Sequence, residues 1–87
     1  MLPNDELVNS AERFSLGVDQ ESGRRYISIP VANRLVDYEE FYELTSEEYL
    51  KCICNAMTAA QVAQQCRENQ LDSRLIVRPG SDRGIGC

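Results

Sequence analysis

Three runs in which apolar and polar residues alternate, set apart by turn-forming residues, restrict the first half of this chain to antiparallel β-structure. In the first, Phe14, Leu16 and Val18 share one side, and Arg13, Ser15 and Asp19 take the other. A period of two marks a half-buried strand. Asp19-Gln20-Glu21-Ser22-Gly23 reads as the turn that follows, with Gly23 free to take positive φ. Tyr26 to Val31 resumes the alternation, with Ile27, Ile29 and Val31 on one face, so the two runs form a hairpin. Pro30 cannot donate to a ladder, which places an edge or a bulge there. Ala32-Asn33-Arg34 reads as the next turn. Leu35 to Leu44 is the third strand, carrying Val36, Tyr38, Phe41 and Tyr42.

The period then changes to that of a helix. Thr45 precedes Glu48 by three residues, a capping box, and Leu44 and Tyr49 stand where a hydrophobic staple closes the entry. Thr58 and Gln61 repeat the grammar, with Met57 and Val62 as the second staple. Leu50, Ile53, Cys54 and Met57 form one apolar stripe, and Ala59, Val62, Ala63 and Cys66 another. At about 100° per residue the two stripes lie on opposite sides of a continuous helix. A one-core domain has little use for that, so a break is expected at 55–58, with a second helix ending near Asn69. One long helix sandwiched between two partners, and hence an oligomer, is the alternative. Leu75-Ile76-Val77 reads as a last short strand, ended by Pro79-Gly80.

The expected architecture is α+β: an antiparallel sheet of three to four strands with two short helices on one face, in the order β-β-β-α-α-β. Residues 1–10 are expected as a flexible lead-in, 11–78 as a single domain and 79–87 as a flexible tail. A chain of 87 residues supports one modest core, with a radius of gyration of roughly 12 Å.

Charge and composition exclude several functions. Fourteen acids against nine bases give a net charge of −5, a field that repels a phosphate backbone and attracts a basic protein. There is no histidine, which removes the commonest general base and metal ligand. No run of about 20 apolar residues is present to span a membrane. The start lacks the basic and apolar segments of a secretory signal, so a cytoplasmic location with reduced thiols is expected. Cys52-Ile53-Cys54 has a metal-like spacing, but on a helix the two point about 200° apart and cannot share an ion. Cys54 and Cys66 are expected in the core, Cys52 outside and Cys87 in the tail. No metal or cofactor is expected.

From Asp37 to Glu48 there are six carboxylates and no base: Asp37, Glu39, Glu40, Glu43, Glu47 and Glu48, with Tyr38, Phe41 and Tyr42 among them. The helix dipole accounts for Glu47 and Glu48. The others lie on a strand, where like charges repel. Aromatics among acids also compose a recognition surface for a basic partner. Strict alternation puts Glu40 on the core side, beside Val36, Tyr38, Tyr42 and Leu44. A lone buried carboxylate is costly, so Glu40 meets an arginine (Arg24, Arg25, Arg34, Arg74 or Arg78) or a bulge turns it outward. The segment from Arg78 to Gly86 lacks the Gly-Lys-Ser/Thr ending and following helix of a phosphate loop.

Ile29 to Leu44, reading I-P-V-A-N-R-L-V-D-Y-E-E-F-Y-E-L, with Cys66-Arg67 and Arg78-Pro-Gly-Ser-Asp-Arg-Gly, resembles small uncharacterised bacterial proteins, some of which are immunity partners that neutralise toxins. The resemblance implies a binding role and transfers no catalytic residue. The leading expectation is therefore a non-enzymatic interaction module that engages a basic protein through Asp37, Tyr38, Glu39, Glu40, Phe41, Tyr42 and Glu43. A small ligand-binding protein or hydrolase centred on Glu40 and an arginine is the alternative. A homodimer through a sheet edge or a helix face is the third reading.

Overall fold

The computed structural model describes residues 2–32, 37–76 and 85–86. Strands β1 (Pro3–Asn9), β2 (Phe14–Asp19), β3 (Arg25–Ala32) and β4 (Asp37–Leu44) form an antiparallel sheet in sequence order. Helices α1 (Ser46–Cys54) and α2 (Ala56–Arg67) follow, then a 3-10 turn at Asp72–Arg74 and a two-residue strand β5 (Ile85–Gly86) that pairs with β3. The fold is α+β, with both helices on one face of the sheet. The radius of gyration is 12.0 Å.

The register sorts the strands into two faces. Leu16 pairs with Ile27, and Ile27 with Tyr42, so these side chains point to the same side. Phe14, Leu16, Ile27, Ile29, Val31, Tyr42 and Leu44 line that face and pack against Tyr49, Cys52, Ala59, Ala63 and Cys66 from the helices. Each fully buried Leu or Ile contributes roughly 1.5–3 kcal/mol relative to exposure. The small residues Ala59 and Ala63, both 0 % exposed, let α2 lie close to the sheet.

The two helix starts differ in detail from expectation. Thr45 forms the complete capping box: its hydroxyl accepts from the Glu48 N–H, and the Glu48 carboxylate accepts from the Thr45 N–H. The second cap is Asn55, not Thr58. Its side-chain oxygen accepts from Met57 N–H at 3.0 Å and Thr58 N–H at 3.4 Å. Asn55 is extended, at φ −141° and ψ 107°, and breaks the helix as the opposed stripes required. Asparagine is as good an N-cap as threonine or better, so α2 begins one turn earlier than the Thr58 box implies.

The break does not bury both stripes. Tyr49 and Cys52 in α1 continue the buried line of Ala59, Ala63 and Cys66, at helical spacings of three, seven, four and three. Leu50, Ile53, Cys54 and Met57, expected in the core, are exposed. Cys52, expected outside, is 2 % exposed. One buried tyrosine at position 49 sets the rotation of α1, and its bulk outweighs the four-residue stripe.

The ends also depart from expectation. Residues Pro3–Asn9, expected as a frayed lead-in, form β1, an edge strand with a register shift between Asp5 and Leu7. Only Leu7 reaches the core from it. Leu75 makes a bridge to Tyr42, and Ile76 N–H donates to the Phe41 carbonyl at 2.9 Å, so these two residues border β4. α2 ends at Arg67, and Asn69 takes φ 61° beyond it. Ile85 and Gly86, expected in a loose tail, pair with Ala32 and Val31. Asn33, Arg34, Leu35, Val36 and Val77 and the rest of the tail lie outside the described residues.

Arg67 ties the end of α2 to the sheet. Its guanidinium donates to the carbonyls of Glu12 and Arg13 in the β1–β2 turn, where Arg13 takes φ 55°. A left-handed non-glycine residue carries strain, and these bonds hold the turn that contains it.

Candidate functional site

Alternation along β4 divides the acidic aromatic segment between two environments. Tyr38, Glu40 and Tyr42 face the helices; Asp37, Glu39, Phe41 and Glu43 occupy the register positions of the opposite face. The segment is extended, as expected, but its seven residues do not form one surface.

On the helix face, Glu40 is 5 % exposed. Its Oε1 accepts from the Tyr42 hydroxyl at 2.7 Å, and its Oε2 accepts from the Tyr38 hydroxyl at 3.2 Å. Among its expected arginine partners, Arg24 lies 4.0 Å from Glu43, Arg25 donates to Ser46 and stands over the Tyr49 ring, and Arg74 pairs with Glu48 at 2.6 Å. Arg34 and Arg78 lie outside the described residues. The two tyrosines give the buried carboxylate hydrogen bonds to both oxygens, and hydrogen bonds to a charged group are the strong ones. Every buried side-chain polar atom among the described residues has a partner. Burial pushes the neighbouring Cys66 thiol up to about 12.

On the opposite face, Glu39 and Glu43 are exposed and Phe41 is half-buried between them. The Phe41 ring meets the Tyr26 ring edge-on, at 5.0 Å between centroids and 82° between planes. Tyr26 lies across the sheet from β3 to β1, and its hydroxyl donates to the Asp5 carboxylate. Burial first, and then the bond to Asp5, raises the Tyr26 phenol above its ordinary value. Asp5 is itself exposed on this face, so three carboxylates, Asp5, Glu39 and Glu43, surround an aromatic pair. Pro30, opposite Glu39 in the register, adds a half-buried apolar surface.

Among the described residues, guanidinium groups pair with two carboxylates of the acidic segment. Glu43 has Arg24 at 4.0 Å, with both side chains about half exposed, a contact worth little in water. Glu48 is held by Arg74, which pulls its carboxyl below the usual range. Glu39 and Glu47 have no ion pair among the described residues.

The sequence pattern did not mark Asp5 and Tyr26 as members of this face. Tyr26 was legible as a strand residue on the side opposite Ile27. Asp5 was not, because β1 carries almost no apolar periodicity. Among the described residues, no group of three acidic or cysteine side chains is placed to hold a metal ion, and no helix is long and apolar enough to cross a membrane. No protein-family model, curated protein or solved structure matches the chain.

Proposed function

We propose that this chain is an interaction module that docks a basic protein on the sheet face opposite its helices, in the manner of an immunity protein. The binding residues are Glu39, Phe41 and Glu43, with Asp5 beside them; Tyr26, 0 % exposed, supports the Phe41 ring from within the sheet. The observation that carries the reading is the exposure of Glu39 beside half-buried Phe41, with no cation of this chain paired to Glu39 among the described residues. A half-buried aromatic ringed by carboxylates supplies an apolar anchor and a steering field together. Tyr38, Glu40 and Tyr42 support the patch from beneath. Both oxygens of Glu40 already accept tyrosine hydrogen bonds, which weighs against the alternative of a hydrolytic or ligand-binding centre there.

The test is capture from a bacterial lysate at low ionic strength, with the wild-type chain and a Glu39→Lys/Glu43→Lys double variant as parallel baits. A basic protein retained by the wild type, released by salt and about tenfold weaker on the variant is the expected result. Equal retention by the two baits counts against this face.

A further inference from the structure

The helix layer is apolar on both sides. Its inner side is buried on the sheet. Its outer side presents Leu50 at 61 %, Ile53 at 36 % and Met57 at 74 % exposure, with exposed Cys54 between them. Apolar residues gathered on an outward helix face mark a surface that another protein covers. We infer that this face, centred on Leu50, joins two copies of the chain in an antiparallel α1–α1 contact.

Charge selects the occupant. One flank of the stripe carries Glu47 and Lys51, the latter being the chain's only lysine, and both are exposed. They stand four residues apart, a spacing that allows an ion pair within the helix. No such pair forms here: neither has an ion-pair partner among the described residues. The surface that fits this flank offers a base opposite Glu47 and an acid opposite Lys51, with an apolar residue between. A second copy, inverted about a dyad beside Leu50, offers that arrangement. Leu50 stacks on its counterpart, Glu47 of each chain meets Lys51 of the other, and Ile53 covers the start of the opposing helix. A strongly basic partner gains nothing from a flank with one charge of each sign.

The net charge of −5 does not oppose the arrangement. The acidic sheet face lies on the far side of the sheet from the helices, so the dimer stacks as sheet, helices, helices, sheet. With layers about 10 Å apart, the acidic faces are on the order of 30 Å from each other. That is several Debye lengths at physiological salt. The dimer thus displays two acidic faces outward, whatever each of them binds.

The test is light scattering on the full chain over a range of concentrations, beside three variants. Leu50→Asp places a charge at an exposed position, so the fold survives and dimerisation falls at least about a hundredfold. Glu47→Lys and Lys51→Glu each place like charges at both contacts and weaken self-association by roughly tenfold. Mixing these two variants restores wild-type association, because each contact then again brings one base against one acid. A wild type that stays monomeric up to about 1 mM overturns the inference. So does a dimer indifferent to Leu50→Asp, or a mixture that fails to recover. Circular dichroism confirms that each variant is folded.

Discussion

The ring of Tyr26 lies directly over the backbone of Gly17, its partner in the β2–β3 register. A Cβ at position 17 would stand 2.5 Å from the Tyr26 hydroxyl and closer still to the carbonyl oxygen of Asn4. The absence of a side chain on Gly17 is what lets Tyr26 cross β2 and reach Asp5 on β1. Gly17→Ala is therefore expected to destabilise the protein by about 1–3 kcal/mol, since one clashing atom belongs to backbone that cannot swing away. Urea unfolding measures it. A variant as stable as wild type would show that Tyr26 does not lie on this glycine.

Two neighbouring carboxylates on β1 are held from opposite sides. Tyr26 donates to Asp5 on the open face, and Tyr49 of α1 donates to Glu6 on the helix face. Adjacent strand residues alternate between the faces, and the register shift after Asp5 brings Leu7 to the helix face opposite Leu16. β1 buries little else, so these bonds and the strand ladder hold it. Tyr26→Phe and Tyr49→Phe are each expected to cost about 1 kcal/mol and to speed hydrogen exchange of the β1 amides more than those of β3. The effects should not simply add, because the two bonds hold adjacent residues of one edge strand. Unchanged β1 exchange in both variants would refute the clamp.

Most of the sheet was legible because Leu16, Ile27, Ile29 and Leu44 bury on one face and keep strict alternation. β1 was not, because an edge strand with one core residue and a bulge at Glu6 has neither period nor hydrophobicity. The helix break was legible from two opposed stripes. Their assignment to core and solvent was not, because Leu50, Ile53 and Met57 outweigh Tyr49, Cys52 and Ala59 on any hydrophobic scale. The sheet nevertheless selects the side with small residues and one large ring, which packs closely. For the candidate site, the extended conformation from Asp37 to Glu43 was readable, and alternation alone separates Glu39, Phe41 and Glu43 from Tyr38, Glu40 and Tyr42. Asp5, from a distant strand, required the fold.

The cysteines should react in an order that their sequence spacing does not indicate. Cys54 is exposed, whereas Cys52 and Cys66 are buried. Burial first, and then the nearby Glu48 charge, raises the Cys52 thiol; burial raises that of Cys66 to about 12. Only the thiolate is nucleophilic, and a thiol at about 12 is ionised to roughly one part in ten thousand at pH 8. Iodoacetamide at pH 8 should therefore modify Cys54 in the folded protein and leave Cys52 and Cys66 unmodified until denaturant is added. Tandem mass spectrometry separates the sites. Labelling of Cys52 before Cys54 would mean that α1 is rotated from the orientation described.

Acid should loosen the β2–β3 turn through Asp19. Its Oδ1 accepts from the Leu2 N–H at 3.0 Å and the Glu21 N–H at 3.1 Å, and its Oδ2 accepts from the Ser22 hydroxyl at 2.7 Å. The Leu2 bond, and then the Ser22 bond, hold the carboxyl below its ordinary value of 3.8. A carboxyl depressed in the folded state adds stability that is complete above its unfolded value and disappears as pH falls through the lower folded value. Between pH 7 and 5 the contribution is constant; below about pH 4 it declines. Asp19→Asn keeps one acceptor oxygen but cannot titrate. It should lower the melting temperature by a few degrees at pH 7 and lose less than wild type on going to pH 3. Because Glu48 is depressed in the same direction by Arg74, its loss persists in that variant, and only Asp19→Asn combined with Glu48→Gln should flatten the acid limb further. An acid limb in Asp19→Asn as steep as that of wild type would show that this turn does not depend on the ionised carboxylate.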